Sequence, residues 1–377
     1  MDILDMIDES FETYLLNKAD LNKIPFFGTY EISPICNMNC EMCYIVQKKK
    51  EVQEHGGLLD IDFWVNLTKE AMKEGLLFVL ITGGEPFLYK NFKELYLKLK
   101  SLGVYICINT NGTLIDEEVV SWLRENPPKR LNISLYGSSN EIYEKLCKNP
   151  NGFTQVTNAM NLLKKNNIMF KINSVLTPEN VDDYYGIANV AEYYQVPLSY
   201  SYYMFPSIRK DKYSFGENYG RLSPEKASEI GFRYFCDKRY KSEIFEALEK
   251  VQYTLNHPEE DVLFGNNCVS CRAGSSAFWV NWKGEMQPCG MMLGHKIDLK
   301  KESFKEGWEF VKNEVSKLQI PDKCASCNKR QNCYICTAAA FCETGNFDEA
   351  PEYLCELTGK YVELLTEEYN KRKEEND

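Results

Sequence analysis

Three cysteines near the start of the chain have the spacing of a metal-cluster loop. The stretch EISPICNMNCEMCY places Cys36, Cys40 and Cys43 in a C-x3-C-x2-C arrangement. Three thiolates in one short loop can hold three irons of a [4Fe–4S] cluster and leave the fourth iron without a protein ligand. An iron with an open position can bind a substrate or cofactor, as an open zinc site does. A structural metal loop is the alternative interpretation.

A second group of cysteines lies in the last third of the chain. CRAGSSAFWVNWKGEMQPC (271–289) is C-x12-G-x4-C, and CASCNKRQNCYIC (324–336) is C-x2-C-x5-C-x2-C. Cys268 precedes this group, and Cys342 and Cys355 follow it. Closely spaced thiol pairs also occur in structural zinc modules, so zinc is the alternative to clusters here.

The composition narrows the classes of function. The chain has 377 residues, 15 cysteines and only 3 histidines, so the thiols must supply most of the metal ligands. We see no signal peptide and no apolar run long enough to span a membrane, and we expect a cytoplasmic protein whose thiols stay reduced. The net charge of −11 lacks the basic balance of a nucleic-acid binder.

Apolar strands and amphipathic helices alternate after the first 28 residues, which predicts a parallel α/β sheet, open or closed into a barrel. Such folds place their chemistry at the carboxyl ends of the strands. The predicted strands are Thr29–Pro34, Leu77–Thr82, Val104–Asn109, Arg130–Tyr136, Met169–Leu176 and Pro197–Met204. Helices are predicted between them, one of them opening at Asp116, and later at 223–238, 241–255 and 356–374.

Polar residues and glycines stand at these strand ends. Gly83-Gly84-Glu85-Pro86 follows the second strand, where glycine lets the backbone come close to a ligand and a carboxylate can pair with an ammonium. Asn109, Thr110 and Asn111 end the third strand. A plain turn is the alternative for both stretches.

Together these motifs resemble the radical S-adenosylmethionine (SAM) superfamily, in which a C-x3-C-x-Φ-C loop follows the first strand; Met42 takes the Φ position. The resemblance implies a partial (β/α)6 TIM-like barrel, a [4Fe–4S] cluster on Cys36, Cys40 and Cys43, and SAM on the open iron. It further implies reductive cleavage of SAM to a 5′-deoxyadenosyl radical that abstracts hydrogen from the substrate, with an external electron donor such as flavodoxin or ferredoxin. The residues that it assigns to SAM are Met42, Gly83, Gly84, Glu85, Pro86, Asn109, Ser134, Asn173 and Val175.

The later cysteines resemble the SPASM extension of a subset of these enzymes, with one departure, because the last spacing is x2 rather than x3. The resemblance implies two auxiliary [4Fe–4S] clusters. One would use Cys271, Cys289 and Cys336, with Cys268 as a candidate fourth ligand and Cys342 as an alternative to Cys336. Without Cys268, that cluster has an open iron on which a substrate thiol can bind. The other would use Cys324, Cys327, Cys333 and Cys355.

The expected domains follow from these assignments. They are a helical lead-in (1–28), the radical SAM barrel (29–222), a helical linker (223–265), the SPASM domain (266–357) and a carboxy-terminal helix (358–377). Only about 28 residues precede the first strand, so we expect leader recognition to use a separate protein, another surface, or nothing at all.

SPASM-bearing enzymes mostly modify peptides or proteins. Where sulfatase maturases carry Asp after the second SPASM cysteine, this chain has Gly290, which argues against sulfatase maturation. We expect a peptide substrate, with cysteine as a candidate residue in it, and a thioether or other cross-link in a ribosomally synthesised peptide. The alternatives are oxidation of a protein side chain, modification of a small-molecule cofactor precursor, and a non-enzymatic electron carrier. The aromatic stretch Ser199–Arg209 is either core packing or a substrate wall, with Arg209 holding a carboxylate or carbonyl.

Overall fold

The computed structural model describes residues 11–45, 49–209, 215–217, 220–239, 241–258 and 271–376. None of the helices in these ranges is long and apolar enough to cross a membrane. The chain divides into two compact units. The first unit comprises Met1–Val175, Glu179–Ser199 and Arg272–Ser316, and the second comprises Leu176–Pro178, Tyr200–Cys271 and Lys317–Asp377.

Strands and helices alternate in the first part of the chain, as the sequence predicts. In chain order the elements are α1 (Phe11–Leu21), β1 (Phe27–Ser33), α2 (Lys49–Glu54), α3 (Ile61–Lys73), β2 (Phe78–Gly83), α4 (Phe92–Ser101), β3 (Tyr105–Thr110), α5 (Glu117–Glu125), β4 (Arg130–Ser134), α6 (Asn140–Cys147), α7 (Gly152–Lys165), β5 (Phe170–Val175), α8 (Tyr184–Tyr194) and β6 (Leu198–Ser201). They continue with α9 (Pro224–Asp237), α10 (Lys241–Asn256), β7 (Ala277–Val280), β8 (Glu285–Gln287), β9 (Ile297–Asp298), α11 (Phe304–Ser316), α12 (Asp322–Ala325), α13 (Thr337–Thr344) and α14 (Glu352–Asn376).

The strands form one sheet in the order β6-β5-β4-β3-β2-β1-β7-β8-β9. Each neighbouring pair from β1 to β5 is parallel, which confirms the predicted α/β sheet. Parallel order places the carboxyl ends of these strands, and the loops that follow them, at one edge of the sheet.

The segment β7–β9 extends the sheet beyond β1. β7 pairs in parallel with β1, and β8 and β9 add antiparallel strands. Residues 272–316 therefore belong to the first unit, although the sequence interpretation grouped them with the later cysteines. These strands are only four, three and two residues long, too short for a clear alternating pattern.

One face of the sheet is apolar and is covered by helices. Tyr30 of β1 is fully buried and packs on Trp64 of α3, with ring centroids 5.3 Å apart. Its register partners Ile81 and, one strand further, Ile108 are also fully buried. Because strand side chains alternate, the intervening residues point to the opposite face. We call that face the polar face; it carries Glu31, Thr82, Asn109, Asn132, Ser134 and Asn173.

Helix starts follow ordinary capping chemistry. The Asp116 carboxylate accepts a hydrogen bond from the main-chain N–H of Val119 at 2.9 Å, which confirms the predicted start of α5. Asp60 caps α3 in the same way. These side chains satisfy N–H groups that have no partner within the helix.

The second unit contains the predicted helices α9, α10 and α14. Ser223 caps α9 and Pro224 occupies its first turn, where the missing N–H costs no hydrogen bond. Ile244 and Leu248 of α10 pack with Leu365 of α14 in a small apolar core. A separate core forms around α12 and α13, and its buried members are Ile320, Cys324, Ile335, Ala339, Ala340 and Leu354.

Candidate active site

The first cysteine loop lies directly after β1. Cys40 is buried, whereas Cys36 and Cys43 are half-buried. Burial, the charge of Glu85 and the neighbouring Cys40 and Cys43 thiols together raise the pKa of Cys36 to about 12, against a main-chain hydrogen bond from Met38 that lowers it. The three thiols are thus close enough to influence one another, in a setting where thiolates need positive charge to be stable.

The end of α6 supports this loop from behind. The main-chain N–H of Asn39 donates to the carbonyl of Cys147 at 3.1 Å, and that of Glu41 donates to the carbonyl of Leu146 at 3.4 Å. The last carbonyls of a helix have no partner within it, so they can accept these bonds. Lys148 also forms an ion pair with Glu41 at 2.6 Å. The loop backbone on either side of Cys40 is therefore held by the carboxyl end of α6.

Gly83 and Gly84 lie against the backbone that leads into the same loop. The N–H of Gly84 donates to the Ser33 carbonyl and that of Glu85 to the Ile35 carbonyl, each at 2.8 Å. A Cβ at Gly84 would overlap the carbonyl of Ile35, and one at Gly83 (φ +147°) would overlap that of Ser33. These glycines therefore let the backbone at the end of β2 approach the backbone of Ser33 and Ile35 closely. The sequence alone did not reveal this role.

The Glu85 carboxylate is fully buried. It accepts hydrogen bonds from the Thr110 hydroxyl at 2.8 Å, from the main-chain N–H of Asn111 at 2.8 Å and from that of Phe87 at 3.2 Å. Burial raises its pKa to about 7 despite these three bonds, which lower it. A carboxylate has room for about four hydrogen bonds, so one acceptor position remains beyond the three that the described residues fill. Buried Pro86 begins the short 3-10 helix that follows.

Asn111 connects the end of β3 to the cysteine loop. Its Nδ2 lies 3.7 Å from the Sγ of Cys36 and 2.9 Å from the Oδ1 of Asn37. Asn37 in turn donates to the Thr113 hydroxyl at 2.9 Å. Sequence reasoning treated Asn111 as a strand-end polar residue and overlooked Asn37 and Thr113. The available signal was that an Asn follows the first cysteine directly.

The other predicted SAM residues lie on the polar face. Asn109 accepts a hydrogen bond from the Nδ2 of Asn132 at 2.7 Å. Ser134 and Asn173 are register partners on β4 and β5, and Val175 follows two residues later on the same face. The structure therefore brings these residues to one surface. Met42, in the cysteine loop, is buried.

A buried carboxylate on the polar face meets an aromatic ring. Glu31 is fully buried, and its Oε2 accepts a hydrogen bond from the Nε1 of Trp279 at 3.1 Å. A Cβ at Gly290 would lie 3.2 Å from the Trp279 ring. The Trp279 ring thus occupies the space beside Gly290.

Four later cysteines form a second thiol group, within the second unit. Burial, followed by the neighbouring thiols of Cys355, Cys333 and Cys327, raises the pKa of Cys324 to about 11. Burial likewise raises the pKa of Cys333. Cys324 and Cys333 are at the core around α12 and α13, whereas Cys327 and Cys355 are exposed. The structure therefore brings together the set that the sequence assigned to one auxiliary cluster.

The cysteines that the sequence assigned to the other auxiliary cluster do not all belong to one unit of the fold. Cys289 is half-buried in the first unit, and its Sγ accepts a hydrogen bond from the N–H of Met291. Cys336 caps α13 through its sulfur, and Cys271 is exposed. Cys268 lies outside the described residues. Cys342, the alternative to Cys336, is fully buried in α13.

The aromatic stretch before Arg209 packs within the second unit. The hydroxyls of Tyr202 and Tyr334 lie 2.5 Å apart, and Tyr203 stacks on Tyr334 at 5.9 Å. Arg209 is half-buried. This arrangement accounts for the aromatic residues as core packing beside Cys333 and Cys336.

The donor chemistry suits iron–sulfur clusters in both thiol groups. No group of three or more Cys, His, Asp or Glu side chains within the described ranges is arranged as a metal-ion site. The two thiol groups fit iron–sulfur clusters by their donor atoms, because cysteine thiolates are the usual ligands of these clusters. All fourteen described cysteines are thiols, and the chain supplies three in one loop and four in another group.

The chain was compared with known families and proteins. Residues 30–191 match the model of the radical SAM superfamily. An AdoMet-dependent heme synthase of Methanosarcina barkeri is 23% identical over 354 residues, which cover 90% of this chain and 99% of the relative. The subtilosin biosynthesis protein AlbA of Bacillus subtilis is 20% identical over 357 residues, which cover 89% of this chain and 75% of AlbA.

The fold of the chain is similar to that of solved structures. The structure of anSMEcpe with bound AdoMet and the Cp18Cys peptide superposes with a TM-score of 0.65, at 19% identity, over 94% of this chain and 100% of that one. At this identity the likeness establishes the fold alone, a partial TIM-like α/β barrel. Residues 30–191 are thus a radical SAM domain, the domain of a superfamily of enzymes.

Proposed function

We propose that this enzyme cross-links a ribosomally synthesised peptide, by a thioether from cysteine to a neighbouring residue. The observation that carries the proposal is the pair of thiol groups, three in the loop after β1 and four around α12 and α13. An enzyme whose chemistry ended with the cleavage of SAM would need only the three thiols after β1. The likeness to AlbA over 89% of the chain supports a peptide as the substrate.

Cys36, Cys40 and Cys43 would hold the catalytic [4Fe–4S] cluster, which together with SAM supplies a 5′-deoxyadenosyl radical after one-electron reduction. The chain's own residues would orient SAM. Glu85 has an acceptor position for its ammonium group, and the polar-face residues Asn109, Ser134, Asn173 and Val175, with Met42, Gly83, Gly84 and Pro86, would line the rest of its site. Their fixed positions would keep the reactive carbon near the substrate and away from water.

The reaction needs an electron acceptor besides SAM. Forming a thioether from a C–H and an S–H removes one hydrogen atom, one proton and one electron from the peptide. The hydrogen atom goes to the deoxyadenosyl carbon, and the proton goes to solvent. The remaining electron requires an oxidised acceptor such as an iron–sulfur cluster, for which Cys324, Cys327, Cys333 and Cys355 would supply the ligands. A second cluster on Cys271, Cys289 and Cys336 would have an open iron for a substrate thiol if Cys268 is not its fourth ligand.

The proposal includes the supporting partners. A flavodoxin or ferredoxin in the cytoplasm, where thiols remain reduced, would supply the electron that begins each turnover. Arg209 would hold a carboxylate or carbonyl of the peptide.

A second candidate is modification of a small-molecule cofactor precursor. The observation that favours it is the heme synthase relative, which this chain matches over 99% of that relative's length. The two candidates share the catalytic loop and differ in the substrate.

The test is anaerobic co-expression with a short cysteine-containing peptide encoded beside this gene, followed by intact mass spectrometry. We expect a loss of two hydrogens per cross-link and a cysteine that resists alkylation after reduction, with fragmentation locating the bond. A Cys40→Ala enzyme is the matched control, and it should leave the peptide unchanged.

The same enzyme can be offered an iron porphyrin precursor under reducing conditions with SAM. A change in the mass of the porphyrin, with the peptide unchanged, would replace the peptide proposal by the second candidate. An unchanged peptide and an unchanged porphyrin, with SAM still cleaved, would refute both.

A further inference from the structure

The side chains of Asn37, Asn111 and Thr113 form a closed ring of hydrogen bonds at the entrance to the cysteine loop. Asn111 Nδ2 donates to Asn37 Oδ1 at 2.9 Å, and Asn37 Nδ2 donates to Thr113 Oγ1 at 2.9 Å. Thr113 Oγ1 donates to Asn111 Oδ1 at 2.7 Å and closes the ring. Each member donates one of these three bonds and accepts another.

The ring fixes which end of the Asn111 amide faces Cys36. The main-chain N–H of Thr113 donates to Asn111 Oδ1 at 3.0 Å. A main-chain N–H can only donate, so the atom that it meets must be the oxygen. The NH2 group therefore points the other way, 3.7 Å from the Cys36 sulfur.

The main chain of Asn111 is fixed as well. Its N–H donates to the buried Glu85 carboxylate at 2.8 Å, and the adjacent Thr110 hydroxyl donates to the same carboxylate at 2.8 Å. Asn111 itself is 6% exposed, so water does not compete freely for its NH2 group. The main-chain N–H of Met38 also lies 3.4 Å from the Cys36 sulfur. The Cys36 sulfur therefore has two hydrogen-bond donors, this N–H and the Asn111 NH2 group.

We propose that Asn111 is a positioning residue that donates to the Cys36 thiolate and raises the reduction potential of the catalytic cluster. The proposal rests on the proposed function, since it requires a cluster on Cys36. Hydrogen bonds to the sulfur ligands are one of the factors that set the potential of an iron–sulfur cluster. A donor stabilises the reduced state more than the oxidised state, because the reduced state carries more negative charge on sulfur.

The test is an anaerobic redox titration of the reconstituted full-length protein without SAM, followed by EPR. The signal that disappears in a Cys40→Ala protein identifies the catalytic cluster. We expect the midpoint of that signal to move to a more negative potential in Asn111→Ala, and further in Asn111→Asp, which replaces the donor by a negative charge. An Asn111→Ala protein with full iron content and the parent midpoint would overturn the proposal.

Thr113 provides a milder pair of variants, in case Asn111→Ala does not assemble its cluster. Thr113→Val removes the hydroxyl that orients the Asn111 amide, and we expect a smaller shift in the same direction. Thr113→Ser keeps the hydroxyl and should retain the parent midpoint. Equal midpoint potentials in Thr113→Val and Thr113→Ser would refute the proposal that the hydrogen-bond ring orients the Asn111 amide.

Asn140→Asp is the matched control for the charge change. Asn140 exchanges hydrogen bonds with Thr154 in a similar Asn–Thr pair, at the first residue of α6 and so at the end opposite to the cysteine loop. A shift in this protein as large as that in Asn111→Asp would show a general charge effect and overturn the assignment to Asn111. If Cys40→Ala loses no EPR signal, the proposed function itself fails, which is a distinct result.

Discussion

The main-chain N–H of Glu85 donates to the carbonyl of Ile35 at 2.8 Å, so the end of β2 is bonded to the backbone just before Cys36. The same glutamate accepts the N–H of Asn111 through its side chain. One residue therefore ties the ends of three neighbouring strands together at the point where the cysteine loop begins. The loop geometry depends on how closely these backbones approach.

Gly84→Ala should disturb this approach. The new Cβ would overlap the carbonyl of Ile35, which is backbone and cannot rotate away. Overpacking of this kind costs about 1–3 kcal/mol, and we expect the free energy of unfolding to fall by that amount. We also expect less iron bound per chain after reconstitution. Urea denaturation and iron analysis measure the two effects.

Gly294→Ala is the control for the glycine prediction. No atom lies within 4 Å of a Cβ built at Gly294, and its backbone is not in the left-handed region. It should keep the stability and the iron content of the parent. If Gly84→Ala behaves like Gly294→Ala, the close contact with Ile35 does not constrain the loop.

The sequence was enough to predict the parallel sheet and the position of the cysteine loop, because both depend on local patterns. Apolar runs define β1 to β6, and the spacing of Cys36, Cys40 and Cys43 stands out in a chain with few other ligands. The pairing of β7 with β1 could not be predicted, since it joins residues some 250 positions apart in chain order and is only four residues long.

The contacts within the site were hidden for the same reason. Asn111 and Cys36 are 75 residues apart, and nothing in either local sequence shows that they meet. The glycines after β2 were interpreted as space for a ligand, because glycine reveals a close approach without revealing the partner. The partner is the backbone of Ser33 and Ile35.

Cys40→Ala should abolish cleavage of SAM. The substitution removes one of three thiols that lie close together after β1, and two remaining thiols cannot hold the catalytic cluster. The measurement is 5′-deoxyadenosine formed with SAM and a strong reductant, by liquid chromatography. Cys236→Ala, in α9 and outside both thiol groups, should retain the parent rate. Cleavage that persists in Cys40→Ala would show that the catalytic site lies elsewhere.

Cys327→Ala should separate cleavage of SAM from product formation. Cys327 belongs to the second thiol group, so its loss leaves the first group intact. We expect 5′-deoxyadenosine at near the parent rate, with the cross-linked peptide reduced at least about tenfold, which corresponds to about 1.4 kcal/mol. Ser326→Ala changes the adjacent exposed residue and should keep both products. Normal cross-linking by Cys327→Ala would mean that this thiol group is dispensable for the reaction.

Glu343→Gln should destabilise the second unit. The side chains of Arg221 and Glu343 are 1% and 3% exposed and lie 2.7 Å apart, and the hydroxyl of Tyr203 donates to the same carboxylate. The change leaves the Arg221 charge buried without a counter-charge, which typically costs about 3–5 kcal/mol. Urea unfolding followed by near-ultraviolet circular dichroism measures it. Glu363→Gln breaks an exposed pair with Lys360 and should leave unfolding unchanged, because water screens such pairs. Equal stability of the two variants would contradict the predicted role of the buried pair.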